Sequence, residues 1–163
     1  MPDIKDSIRE ALVDLIEELT DVGIVHNRTK FSADWTVFLN NFGWVDTAGR
    51  NQVRGWWLSI PTMPSIGRGT YNSDSEIYTF VVRGIMSYKD SEESEPVFQE
   101  LIYRVFRHLQ KQSDLDVGIV GNDYFVDGSI VVTMPTVELR QYGSVLCHYC
   151  EIHFVCEVIS PYP

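Results

Sequence analysis

The stretch Ser144-Val145-Leu146-Cys147-His148-Tyr149-Cys150-Glu151-Ile152-His153-Phe154-Val155-Cys156-Glu157-Val158 holds all three cysteines and two of the four histidines of a 163-residue chain. A reactive or metal-binding cluster and a β-strand compete for it. Strand side chains alternate between faces, so Leu146, His148, Cys150, Ile152, Phe154, Cys156 and Val158 fall on one side and Cys147, Tyr149, Glu151, His153, Val155 and Glu157 on the other. Cys147 and Cys150 then point apart. A zinc-binding Cys-x-x-Cys pair needs a turn that brings both sulfurs to one ion, and no Gly, Pro or Asn stands there to make it. The segment reads as a half-buried strand whose free thiols act as small apolar side chains, and no metal or cofactor is expected.

Outward from this strand, residues 130–141 supply a second one, paired with it through a turn at Tyr142-Gly143. Residues 53–60 and 76–88 are rich in aromatic and β-branched side chains and read as strands. Residues 61–74 between them form a long turn-rich loop. Loops of this length tend to carry function, so it is the expected contact arm, with Arg68 and Tyr71 as its candidate interface residues. Its Gly67-Arg68-Gly69 lacks the spacing and the closing Lys-Ser or Lys-Thr of a phosphate loop. Residues 116–125 offer a further short strand.

Helical patterns are equally plain. Asp3 is placed to cap a first helix whose Ile4, Ile8, Leu12, Leu15, Ile16 and Leu19 recur at three- and four-residue steps until Gly23 ends it. An extended piece follows at 24–29. Ser32 then caps a shorter helix with Trp35, Phe38, Leu39 and Phe42 on one stripe and Gly43 as its stop. In the third helix, acids, serine and Pro96 crowd the start, while Arg104, Arg107, His108 and Lys111 gather near the end, where they complement the helix dipole on a solvated face. Phe98, Leu101, Ile102, Val105 and Leu109 form its buried stripe. The expected architecture is one α+β domain over residues 1–163: a mixed, mainly antiparallel sheet with two principal helices packed against it and a short extra helix.

Composition narrows the class. Hydrophobic residues make up 44% and charged residues 22%, the balance of a folded domain. With 23 acids against 13 bases the net charge is −10, which opposes a phosphate-gripping groove. Three cysteines in one strand fit a reducing compartment. No stretch is long and apolar enough to span a bilayer, and Met1-Pro2-Asp3 does not open like a signal peptide. Catalytic signatures are missing too: the histidines at 26, 108, 148 and 153 share no ligand spacing, and Gly128-Ser129 has no nucleophile elbow around it. No enzymatic activity is expected.

Several patches, in order, resemble one family. Ile8-Arg9-Glu10-Ala11-Leu12, Gly23 with Val25-His26, Ser32-Ala33-Asp34-Trp35 with Phe38-Leu39, and Arg54-Gly55-Trp56 are similar to tail terminator (tail completion) proteins of long-tailed bacteriophages and prophages. Tyr78-Thr79-Phe80-Val81-Val82-Arg83-Gly84, Phe98-Gln99-Glu100-Leu101 and residues 144–152 continue the resemblance. Nothing comparable marks residues 61–74 or the tail after Ile159. What the resemblance implies is an α+β subunit that closes as a homohexameric ring on the head-proximal end of the tail tube. Such a ring ends polymerisation and offers a surface to the head-completion or connector protein. It implies neither catalysis nor cofactor, a place at the head–tail junction of the virion, and assembly in the host cytoplasm. DNA would pass through without specific binding, past a channel partly lined by the excess acid.

Within that reading Trp56 and Trp57, on opposite faces of one strand, are expected to divide between core and subunit contact. A head-tail connector or a tail tube subunit is the nearest alternative. From another class comes a small-molecule-binding α+β domain, with the helix from Pro96 to Lys111 covering a pocket lined by Tyr78, Phe80 and Phe154.

Overall fold

Apolar residues spaced for one helical face and alternating residues spaced for a pleat meet in a layered structure, described by a computed structural model for residues 4–30, 32–60, 65–68, 74–111, 129–133 and 136–159. For residues 65–68, 74 and 90 it describes the backbone alone. The chain runs α1 (Ile4–Glu17), β1 (Ile24–His26), α2 (Trp35–Phe42), β2 (Gly43–Val45), β3 (Asn51–Ser59), β4 (Ser65–Arg68) and β5 (Asp74–Ser87). A single 3-10 turn (Asp90–Glu92) leads to α3 (Ser94–Gln110), followed by β6 (Val131–Thr133), β7 (Val137–Tyr142) and β8 (Val145–Ile159).

The strands make one mixed sheet, ordered β1-β3-β5-β8-β6, with β2 also on β3, β4 on β5 and β7 on β8. Only β1 and β3 pair in parallel; all other ladders are antiparallel. The longest ladder joins β5 and β8 from Ser75↔Ile159 to Ser87↔Cys147 and forms the spine of the sheet. The expected α+β architecture is therefore present, with α1 and α3 as principal helices and α2 as the short one.

Both faces of the sheet are covered. Under α1 and α3, Ile8, Leu12, Ile16, Phe98, Leu101, Ile102, Val105 and Leu109 pack on Trp56, Phe80, Val82, Cys150, Ile152, Phe154 and Cys156. Beneath α2 lies a second core of Phe38, Phe42, Val53, Trp57, Ile85, Cys147 and Tyr149. The alternation predicted for β8 holds, since Cys150 and Cys156 belong to the first core and Cys147 to the second. Cys147 is nevertheless fully buried, because α2 shields the face that a one-sided sheet would leave wet.

Several boundaries differ from expectation for identifiable reasons. α2 is capped by Asp34, whose carboxylate accepts from Val37 N at 3.0 Å, while Ser32 Oγ accepts from Asp34 N at 3.1 Å. A carboxylate at the N-cap matches the helix dipole better than a hydroxyl does. α1 stops at Glu17, before Gly23, which lies in the connection to β1 with φ +95°. No side-chain cap bond closes α3 at Glu93; Ser94 Oγ instead accepts from Lys89 N at 2.8 Å.

Residues 61–74 are not all loop. β4 lies inside the stretch and pairs Ser65–Arg68 with Ile77–Asp74, so partner strand β5 supplies the ladder that weak local propensity does not announce. Residues 130–141 hold two strands, β6 and β7, in place of one. The Asp3 cap and the expected strand at 116–125 lie outside the described residues. Among the described residues, no helix is long and apolar enough to cross a membrane.

Candidate functional site

Trp56 and Trp57 sit on opposite faces of β3, as the alternation requires, yet neither is a contact residue in the chain itself. Trp56 is fully buried between Phe98 and the sheet, and its indole donates from Nε1 to Val22 O at 3.0 Å. Trp57 is 1% exposed and packs against Phe42 and Tyr149 under α2. The expected division between core and interface fails because the sheet has a core on each side. Of the other interface candidates, Arg68 lies in β4, where only the backbone is described, and Tyr71 lies outside the described residues.

The aromatic pocket expected under α3 is filled. Tyr78, Phe80 and Phe154 are 4%, 0% and 0% exposed and belong to the first core, so they offer no cavity to a ligand. The basic end of α3 is also engaged locally. Arg104 donates to Thr20 O at 2.7 Å, and His108 Nε2 bonds Glu18 Oε2 at 3.0 Å, tying α3 to the end of α1.

Space opens instead at the end of the sheet where β2 and the starts of β3 and β8 meet the end of β5. There lies an open groove of about 740 Å³ lined by Trp35, Leu39, Trp44, Val45, Tyr88 and Leu146, among others. Leu39, Val45 and Leu146 are exposed, an apolar surface that costs free energy when left in water. Beside it lies a recess of about 30 Å³ lined by Arg50, Arg54, Ser87, Lys89 and Glu92.

Electrostatics in the recess are unusual. Arg54 is 7% exposed, and its guanidinium donates from Nη1 to Asp21 O at 2.8 Å and from Nη2 to Gln52 Oε1 at 3.1 Å. Its other flank lies over the Trp44 ring at 4.5 Å. Burial lowers the pKa of this cation, which has no carboxylate hydrogen-bonded to it among the described residues. Its Nε and the hydroxyl of Ser87, itself 7% exposed, lack hydrogen-bond partners within the described chain. Buried polar groups are rarely left so, and each orphan costs about 1–3 kcal/mol. Arg50 and Lys89 add two cations, set against Glu92 at 3.4 and 3.6 Å; Arg50 is also held by Asp46 at 2.6 Å.

A buried histidine borders this end of the sheet. His148 is stacked on Phe98, beside Tyr88, with Nε2 at 3.0 Å from Ser94 Oγ. Ser94 already accepts from Lys89 N–H, so its own hydroxyl proton serves a neutral His148 ring. Burial lowers the His148 pKa, against a smaller opposing pull from Glu95, and burial likewise leads in lowering that of His26. A folded pKa below the unfolded value near 6.5 means that the unfolded chain takes up protons first as pH falls. Stability is therefore fully present above pH 6.5 and is expected to decline below it, by at most about 1.4 kcal/mol per pH unit for each proton. Urea midpoints measured from pH 7.5 to 5 check this, and His148→Gln should flatten part of the slope.

Neither the groove nor the recess was visible in the sequence: their residues come from α2, the β2–β3 hairpin, the end of β5, the 3-10 turn with the start of α3, and the start of β8, five segments in all. The available signal was the adjacent apolar residues Trp44-Val45 and Val145-Leu146, which put an apolar side chain on each face of a strand and read equally well as ordinary strand ends. Among the described residues no group of three or more His, Cys, Asp and Glu could hold a metal ion. No protein-family model matches the chain, and no curated protein matches it.

Proposed function

We propose that this chain is a tail terminator: a non-catalytic virion protein that closes as a ring on the head-proximal end of a phage tail tube, stops its growth and presents the surface for the head. The reading rests on the ordered run of resembling patches from Ile8 to Ile152. Its chief structural support is the pair of dissimilar unsatisfied surfaces on one small domain. At one edge of the sheet, β7 leaves Val137 and Leu139 exposed; at the other, β2 borders the apolar groove. A closed ring of identical subunits needs two different patches, each meeting the other in the neighbouring copy, and closure limits the number of copies where an open helix would not. The acid excess of the chain suits a collar through which DNA slides without sticking.

Tail length is the decisive observable. In lysates of a phage lacking the chain, electron microscopy should show overlong or headless tails. Normal-length tails beside unattached full heads would mark a connector, and absence of tails a tube subunit. Tails of wild-type length attached to heads would sink the proposal.

A further inference from the structure

Groove and recess form one surface, because Gln52, Ser87 and Lys89 line both. One part is apolar, with Leu39, Val45 and Leu146 exposed at 38%, 55% and 40%. The other is cationic and holds two buried donors, Arg54 Nε and the Ser87 hydroxyl, that nothing described in the chain accepts from. At its rim stand Arg50 and Lys89, with side chains 52% and 36% exposed, and a carboxylate that reaches them makes charge-assisted bonds, the strong kind. The occupant that fits is an extended segment carrying one carboxylate beside apolar side chains. Such a segment stands on the chain itself: in β7, Val137 and Leu139 are 44% and 51% exposed, with exposed Glu138 between them. No described strand pairs with the outer edge of β7.

We infer that β7 of a second copy docks on this surface, with Glu138 at the recess and Val137 and Leu139 against the groove. Alternation puts the carboxylate on one side of the strand and the two apolar side chains on the other, so a strand laid along the boundary of recess and groove serves both. The contact cannot form within one chain. β7 is held by its ladder to β8, which itself supplies one wall of the groove at Leu146, and three strands, β8, β5 and β3, separate it from the β2 wall, roughly 19 Å at four strand spacings. In the free chain Glu138 is bonded to Arg140, which lies over the Tyr149 ring at 3.4 Å; docking moves the carboxylate and leaves the guanidinium on the ring. Each copy then offers a strand at one edge of the sheet and a socket along its end, two different patches of the kind a ring requires. This inference rests on the ring reading and names its contact.

Two measurements on the full chain test it. In the first, the peptide acetyl-Thr-Val-Glu-Leu-Arg-amide, matching residues 136–140, is titrated while the four indole N–H resonances are followed. The indoles of Trp35 and Trp44 should shift and those of Trp56 and Trp57 should not, and a peptide with Gln for Glu should bind at least about tenfold more weakly. No binding at millimolar peptide, or equal binding of the Gln peptide as when a water alone fills the recess, overturns the inference.

In the second, assembly on tube ends is compared for charge-reversed variants. Glu138→Lys and Lys89→Glu should each fail to close rings alone while keeping wild-type thermal midpoints, and both their equimolar mixture and the double variant should regain rings, since each restores an opposite-charge pair at every contact. Single variants that still close rings overturn this contact and leave the ring reading standing. A wild-type chain that forms no ring on tube ends overturns the ring reading, whatever the peptide does.

Discussion

Trp56→Ala and Trp57→Ala are each expected to destabilise the chain by about 3–5 kcal/mol, the range for emptying a well-packed aromatic site. Trp56 fills the space between β3 and α3 and anchors the Val22 carbonyl, so its loss opens a cavity and strands a buried acceptor. Trp57 does the same work on the other face, wedged against Phe42 and Tyr149. For a domain of this size the loss lowers the midpoint of thermal unfolding by about 10 °C or more. Denaturant titration of both variants gives the answer. A Trp57→Ala protein with wild-type stability and impaired ring formation would reinstate this residue as a contact and disprove the second core.

Gly84→Val should cost at least about 3 kcal/mol, because overpacking a rigid core forces its neighbours off their minima. A Cβ built on Gly84 comes within 2.6–2.8 Å of three ring atoms of Trp56, and the indole cannot retreat without losing Val22 and its packing on Phe98. Gly84 faces Trp56 across the β3–β5 ladder, so the glycine is the socket that lets a large ring lie flat on a central strand. The double variant Gly84→Val with Trp56→Leu provides the check. If the collision with Trp56 is the cause, the two losses are strongly non-additive and the pair is more stable than their sum predicts. Additive losses would place the cause elsewhere.

Much of the fold was legible because local chemistry and burial agree. β8 reads as a strand from its alternation alone, and α3 from acids at one end, bases at the other and a dry stripe between. Where the reading failed, a distant partner decided. β4 exists because Ser75, Glu76 and Ile77 in β5 present a free ladder to a segment of Ser, Gly and Arg around Ile66. The two tryptophans were divided between inside and outside because alternation says which face a residue takes and nothing about what covers that face. α2, only eight residues long, turns the second face into a core. The groove and its recess were illegible for the same reason: Ser87 and Arg54 are ordinary in sequence, and their unmet hydrogen bonds exist only once distant segments converge.

The interior placement of the sulfurs in β8 has a practical outcome. Burial pushes the thiols of Cys147 and Cys156 up to about 12, and that of Cys150 higher than the usual thiol range, so none of the three is a thiolate at neutral pH. Thiolates are what alkylating and disulfide-forming reagents attack. The native chain is thus expected to be silent towards maleimides, and a single cysteine engineered at an exposed position such as Val45 or Leu139 should be a uniquely addressable handle for cross-linking adjacent protomers without first stripping the natural background.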